Sequence, residues 1–91
     1  MVFDEATTRH LHSGCALLLG TVSADGAPHA ARGHGVRVLS SSPPRVRVLL
    51  PPDERLLDNL RATGVLAITT AEVPTLVSMQ LKGRVGPIGP L

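Results

Sequence analysis

The chain has 91 residues, a formal charge of +2 and 43% hydrophobic residues, with one Phe and neither Trp nor Tyr. That length bounds it to a single small domain, 1–91, whose core must be aliphatic, and its one cysteine, Cys15, excludes an intramolecular disulfide or a multi-cysteine zinc site. The missing aromatics remove the stacking platforms used by single-strand binders, and the nine Lys and Arg are spread along the chain, so no nucleic-acid partner is expected.

Residues 4–13 read as a short helix, with Asp4 as N-cap, Gly14 as stop signal, and Phe3, Ala6, Thr7, His10 and Leu11 on one face. Residues 15–23 read as a strand, its apolar start buried on both sides. Asp25-Gly26 then marks a hairpin, because glycine tolerates positive φ. Residues 28–39 form one long second strand, with Ala31, Gly33 and Gly35 all on the same face. Such a run marks either a barrel corner or a place where a flat ligand lies close to the strand. A turn at 40–44 leads to a third strand, 45–50, with Arg45 and Arg47 on one face and Val46 and Val48 on the other.

Beyond Pro51 and Pro52, Asp53 caps a second helix that runs to about Thr63, with Leu56, Leu57 and Leu60 inward and Gly64 as its stop. Residues 65–70 are a fourth strand, 71–74 a turn and 75–85 a fifth strand, whose even positions carry Ser78, Gln80, Lys82 and Arg84. Residues 86–91 are a Gly/Pro-rich loose tail, so the core spans about 15–85. The order is helix, three strands, helix, two strands. Two hairpin links and one crossover helix predict a mostly β, α+β domain: a small antiparallel barrel or half-open sheet rather than a parallel α/β fold.

The chemistry-bearing residues are sparse. Gly33-x-Gly35 lies inside a strand pattern with no helix following, which excludes a phosphate loop. His10, His12, His29 and His34 have no metal-ligand spacing, and Asp53, Glu54 and Asp58 are explained by helix capping and surface. Cys15 reads as a small hydrophobe. Arg32, Arg37, Arg45, Arg47, Arg55, Lys82 and Arg84 remain; each is explained alone as solvated surface, although Arg55 lies in the first turn of a helix, where an anion is favoured. The N-terminus lacks a basic segment leading into an apolar core, and the longest apolar run, Ala16–Leu19, is too short to span a bilayer. A cytoplasmic protein without a membrane partner is expected, and its Ala, Gly, Pro and Arg content is that of a GC-rich, bacterial-type genome.

Four stretches, L18-L-G-T-V-S-A-D-G-A-P-H29, V46-R-V-L-L50 with D53-E-R-L-L-D-N-L60, V65-L-A-I-T69 and S78-M-Q-L-K-G-R84, give the chain a resemblance to the pyridoxamine 5'-phosphate oxidase-like, FMN-binding split β-barrel family. The resemblance covers about residues 15–85 and rests on the pattern T-V-x-x-D-G-x-P and its spacing to helix, strand and Q-L-K-G. It implies a split β-barrel, a homodimer, FMN in a cleft between subunits and oxidoreductase chemistry on the flavin. The family's phosphate-binding positions fall on Arg32 (or Ala31, one residue away), on Leu49 and Leu50, and on Asp53, Glu54 and Arg55; the last strand brings Ser78 and Gln80 to the cleft and makes Gly83 a bend. The cofactor-binding set is thus Arg32, Arg55, Ser78, Gln80 and Lys82. The chain departs from the family where Leu49, Pro51, Pro52, Asp53 and Glu54 replace a Ser or Thr and a Ser-Arg-Lys run. That departure implies an alternative: a non-catalytic dimer that has lost FMN and binds another flat ligand, haem or a deazaflavin, or acts in regulation.

Overall fold

The computed structural model of the chain describes residues 2–90. Its elements are α1 (Glu5–Leu11), β1 (Ala16–Val22), β2 (Pro28–Gly33), β3 (Gly35–Ser41), β4 (Pro44–Leu49), α2 (Glu54–Thr63), β5 (Val65–Glu72) and β6 (Val77–Arg84). Four strands form an antiparallel sheet in the order β2-β1-β5-β6, and β3 and β4 form a separate antiparallel ribbon. The expected mostly β, α+β domain with an N-terminal helix and one crossover helix is the fold observed. Strand pairing does not close it into a barrel, since no ladder joins ribbon to sheet and β2 and β6 stay as edges. α2 is the crossover, carrying the chain from the ribbon to β5 beside β1. Among the described residues no helix is long and apolar enough to cross a membrane. Residues 86–90 are neither helix nor strand, and the last position of the expected tail lies outside the described residues.

Local chemistry sets the ends of the helices. The Thr7 amide donates to the Asp4 carboxylate at 2.7 Å, and the Leu56 amide donates to Asp53 at 2.9 Å, each using a donor that the first helical turn leaves free. Gly64 closes α2 in the left-handed conformation, φ 69°, its amide donating to Leu60. α1 is shorter than the 4–13 expected, because His12 has already left helical geometry.

The largest departure from the sequence reading is the long second strand, which breaks at His34 into β2 and β3. Ala31 and Gly33 face inward on β2, whereas on β3 Val36 and Val38 turn toward the core and pair with Val48 and Val46. The inward set therefore changes from odd to even positions across the break, where the chain leaves the sheet for the ribbon. A Cβ on Gly33 would stand 3.1 Å from Leu17 Cβ and 3.3 Å from Leu19 Cδ2, so a side chain there would have to push Leu17 or Leu19 aside by a few tenths of an ångström. Of the two readings of this glycine pair, the corner is the one that the packing supports. The later boundaries also move: β4 begins at Pro44, β5 runs on to Glu72, and β6 starts at Val77 instead of Thr75. Gly83, expected at a bend, lies within β6 with open space where a Cβ would be.

The core lies between the inner faces of sheet and ribbon, with α2 laid into it. Leu17, Leu19 and Ile68 of the sheet meet Leu56 and Leu60 of α2, and Val36, Val46 and Val48 of the ribbon pack against them. Each fully buried leucine of this cluster contributes about 1.5–3 kcal/mol. Cys15 is half-buried and packs on the cluster as a small hydrophobe. Asn59 on α2 donates to Thr21 on β1 at 3.1 Å, so both buried polar groups are satisfied as the helix docks. α1 buries His10 and Leu11, with Phe3 buried just ahead of it, while Ala6, expected on the same face, stays exposed. His10 Nε2 lies 2.6 Å from Thr70 Oγ1, and the Val38 amide donates to His12 Nε2 at 2.9 Å.

Two glycine substitutions check the corner. Gly33→Ala is expected to lower stability by about 1–3 kcal/mol through overpacking against Leu17 and Leu19. Gly83→Ala, made in open space within a strand, is expected to be neutral or to raise it by up to about 1 kcal/mol. Thermal or urea unfolding of the two variants reads the contrast, and equal effects would remove the steric argument.

Candidate functional site

β1 alternates between the two sides of the sheet. Leu17, Leu19 and Thr21 go into the core, and Ala16, Leu18 and Gly20 go to the other side. The start of this strand is therefore not buried on both sides, as the apolar run suggests; Leu18 is 53% exposed. α2, α1 and the ribbon all lie on the inner side, and among the described residues most of the outer one is exposed.

Strand register gives this outer face its layout. One row across the four strands is Arg32, Leu18, Thr69, Gln80. The next is Ala30, Gly20, Ala67, Lys82, and on the other flank Ala16 and Ala71 lead to Ser78. With neighbouring strands about 4.8 Å apart, the backbones at the two ends of a row are about 14 Å apart. Four of the five residues singled out in the sequence, Arg32, Ser78, Gln80 and Lys82, thus share one exposed face. Gln80 Nε2 donates to Thr69 Oγ1 at 3.4 Å, within its row. In the row that ends at Lys82 the floor is low, since Ala30, Gly20 and Ala67 raise nothing taller than a methyl group, whereas Leu18 stands next to Arg32 in the other row. A shallow depression of about 500 Å³ lies over Gly20, Val65, Ala67 and Lys82. No Asp or Glu occupies a position on this face, and Arg84 adds a third positive charge at its margin.

Arg55 does not join them. It belongs to α2, on the inner side of the sheet, and lines a separate cleft of about 640 Å³ with Ser23, Pro28, Glu54 and Asp58. The start of α2 is also occupied by the chain's own carboxylate. Asp53 accepts from the Leu56 amide and lies 3.0 Å from His29 Nε2, and the amide bond first, then the His29 contact, hold its carboxyl below the ordinary value of 3.8. The helix-terminal donor expected to receive a phosphate is committed to Asp53, with Glu54 alongside.

The floor residues Leu18, Gly20, Ala30, Ala67 and Thr69 were not legible as part of a site. Their one signal is the alternation of L17-L-L-G20 once its odd positions are known to be the buried ones. Compared with protein-family models, with curated proteins and with solved structures, the chain matches none.

Asp53 yields a pH test. Because its folded-state pKa is depressed, its ionised form contributes stability that is fully present above the ordinary carboxylate range and is lost as pH falls through the lower, folded value. Asn is an equally good N-cap, so Asp53→Asn isolates the charge. Wild type is expected to exceed the variant in stability near neutral pH, with the gap closing below about pH 4. Unfolding curves from pH 7 down to pH 2.5 measure it.

Proposed function

We propose that the outer face of the β2-β1-β5-β6 sheet binds a flat anionic cofactor of the flavin class, FMN, and that two copies of the chain meet over it. The protein is then an FMN-binding, oxidoreductase-like split-barrel protein of the pyridoxamine 5'-phosphate oxidase-related kind, acting in the cytoplasm. The observation that carries this reading is the register itself. It sets a low apolar row of Ala30, Gly20 and Ala67, ending at Lys82, beside the row in which Leu18 and Thr69 lie between Arg32 and Gln80.

The residues present fit such a group. A planar ring needs a surface without tall side chains, and this floor supplies one beside the apolar Leu18. A phosphate needs cations free to reach it, and neither Arg32 nor Lys82 has a carboxylate within ion-pair distance among the described residues. Ser78 and Gln80 supply hydrogen bonds for the polar edge of a ring. When bound, the flavin supplies the hydride or electron chemistry; the chain binds it, orients it and sets the charge around it. A second copy would bury Leu18 and Val65, large apolar side chains that a lone chain leaves in water.

A second reading keeps the dimer and gives up FMN. Asp53 and Glu54 stand at the start of α2, where the resemblance would place the FMN phosphate, and this departure favours a non-catalytic protein whose outer face holds haem or a deazaflavin, or serves regulation.

FMN titration followed by quenching of flavin fluorescence separates the readings. Arg32→Glu and Lys82→Glu are each expected to weaken binding at least about tenfold, the equivalent of about 1.4 kcal/mol. Arg55→Glu is expected to leave it unchanged. No quenching by the wild type at high micromolar protein sinks the flavin reading. Loss of binding in Arg55→Glu alone moves the site to the α2 cleft. Gel filtration of the wild type is expected to give a dimer.

A further inference from the structure

The ribbon carries a second exposed face of different chemistry. Arg37 stands directly opposite Arg47 in the β3–β4 register, and Arg45, two residues from Arg47, shares its face. All three side chains are exposed, while Val36, Val38, Val46 and Val48 turn inward on the opposite side. Two like charges directly opposite each other destabilise a ladder. None of these arginines has a carboxylate within ion-pair distance among the described residues; of all Lys and Arg, only Arg9 and Arg61 do. Residues 26–52 contain no Asp or Glu, and the carboxylates beside the ribbon are Asp4 and Glu5 of the α1 segment at its β3 border. Cations that look scattered in the sequence are gathered by the hairpin into one patch without an ion-paired carboxylate.

We infer that this ribbon face binds the phosphate backbone of double-stranded nucleic acid. All three cations are arginines, whose planar fork matches a phosphate in two-point contact. Arg45 and Arg47 are about 6.7 Å apart along the strand, so they reach separate phosphates. A two-stranded antiparallel ribbon has the width to enter a major groove about 12 Å across. Leu39 and Leu49 flank the arginines on this face, and both are exposed, giving apolar contacts of the kind that a thymine methyl accepts. The absence of Trp and Tyr directs the expectation to duplex over single strand. This surface is separate from the outer face of the four-stranded sheet and does not depend on what that face binds.

Fluorescence anisotropy with a labelled 20-base-pair DNA duplex tests it on the whole chain. Three phosphate contacts give a slope of about −2.7 in log affinity against log salt, so affinity is expected to fall about 20-fold between 50 and 150 mM salt. Arg37→Gln, Arg45→Gln and Arg47→Gln are each expected to weaken binding and to lower the slope by about 0.9. Arg61→Gln, the same charge change on α2, is expected to leave both unchanged. Arg37→Gln also relieves the opposed pair, so its thermal unfolding is expected to match or exceed that of the wild type, which separates lost contact from lost fold. The inference is overturned by no binding at 50 mM salt, by an equal loss in Arg61→Gln, or by polyglutamate competing as well as the duplex, the last marking an acidic protein as the partner.

Discussion

The docking of α2 onto one side of the four-stranded sheet is the constraint from which the other surfaces follow. Leu56 and Leu60 fill the space over Leu17, Leu19 and Ile68, and Asn59 reaches Thr21 so that the helix sits down without orphaning a polar group. His29 and Asp53 fasten the other end of the helix to β2. With one side taken in this way, and with the ribbon closing the rest of the core, the opposite side of the sheet is left to solvent. Burial and bareness are two results of one packing choice. The same choice separates Arg55 from Arg32: one rides on the helix, and the other projects from the uncovered side.

An aliphatic core without large aromatics depends on close approach. Gly33 provides it at the corner, where a strand must leave the sheet and begin the ribbon while its backbone presses on Leu17 and Leu19. The phase change at His34 then decides which residues of the next strand are core and which are surface. Because the valines turn inward, Arg37, Arg45 and Arg47 are forced outward together. A patch of charge thus follows from a packing event several residues earlier in the chain.

Much of this was legible from local chemistry. Asp4, Asp53 and Gly64 mark helix ends, Gly26 marks a hairpin, and the alternation of residues 75–85 places Ser78, Gln80 and Lys82 on one side. Those signals are short in range, and the sequence displays them directly. The break at His34 was not legible, because Pro28 to Leu39 has continuous strand composition and the tight packing of Gly33 on Leu17 and Leu19 beside the break comes from another strand. The same holds for register. That Arg32 shares a row with Gln80, and Arg37 with Arg47, depends on pairings between strands that no local pattern encodes. Arg55 shows the converse: the sequence marks its place in a first helical turn, but which side of the sheet that turn occupies is a tertiary fact.

The contact between His12 and the Val38 amide gives α1 a role beyond packing. A strand at the border of a ribbon presents unpaired amides and carbonyls, which are templates for another chain. On β3 the imidazole takes one of these amides and the Phe3 amide takes the Ser41 carbonyl, so two groups of that border are already spoken for. The residues that flank this seven-residue helix, Phe3 and His12, thereby stand in for part of a neighbouring strand that the fold lacks. The residues at its two ends thus take up hydrogen-bonding groups that a further strand would otherwise take, and the part of the ribbon's border left open to another chain is correspondingly shorter.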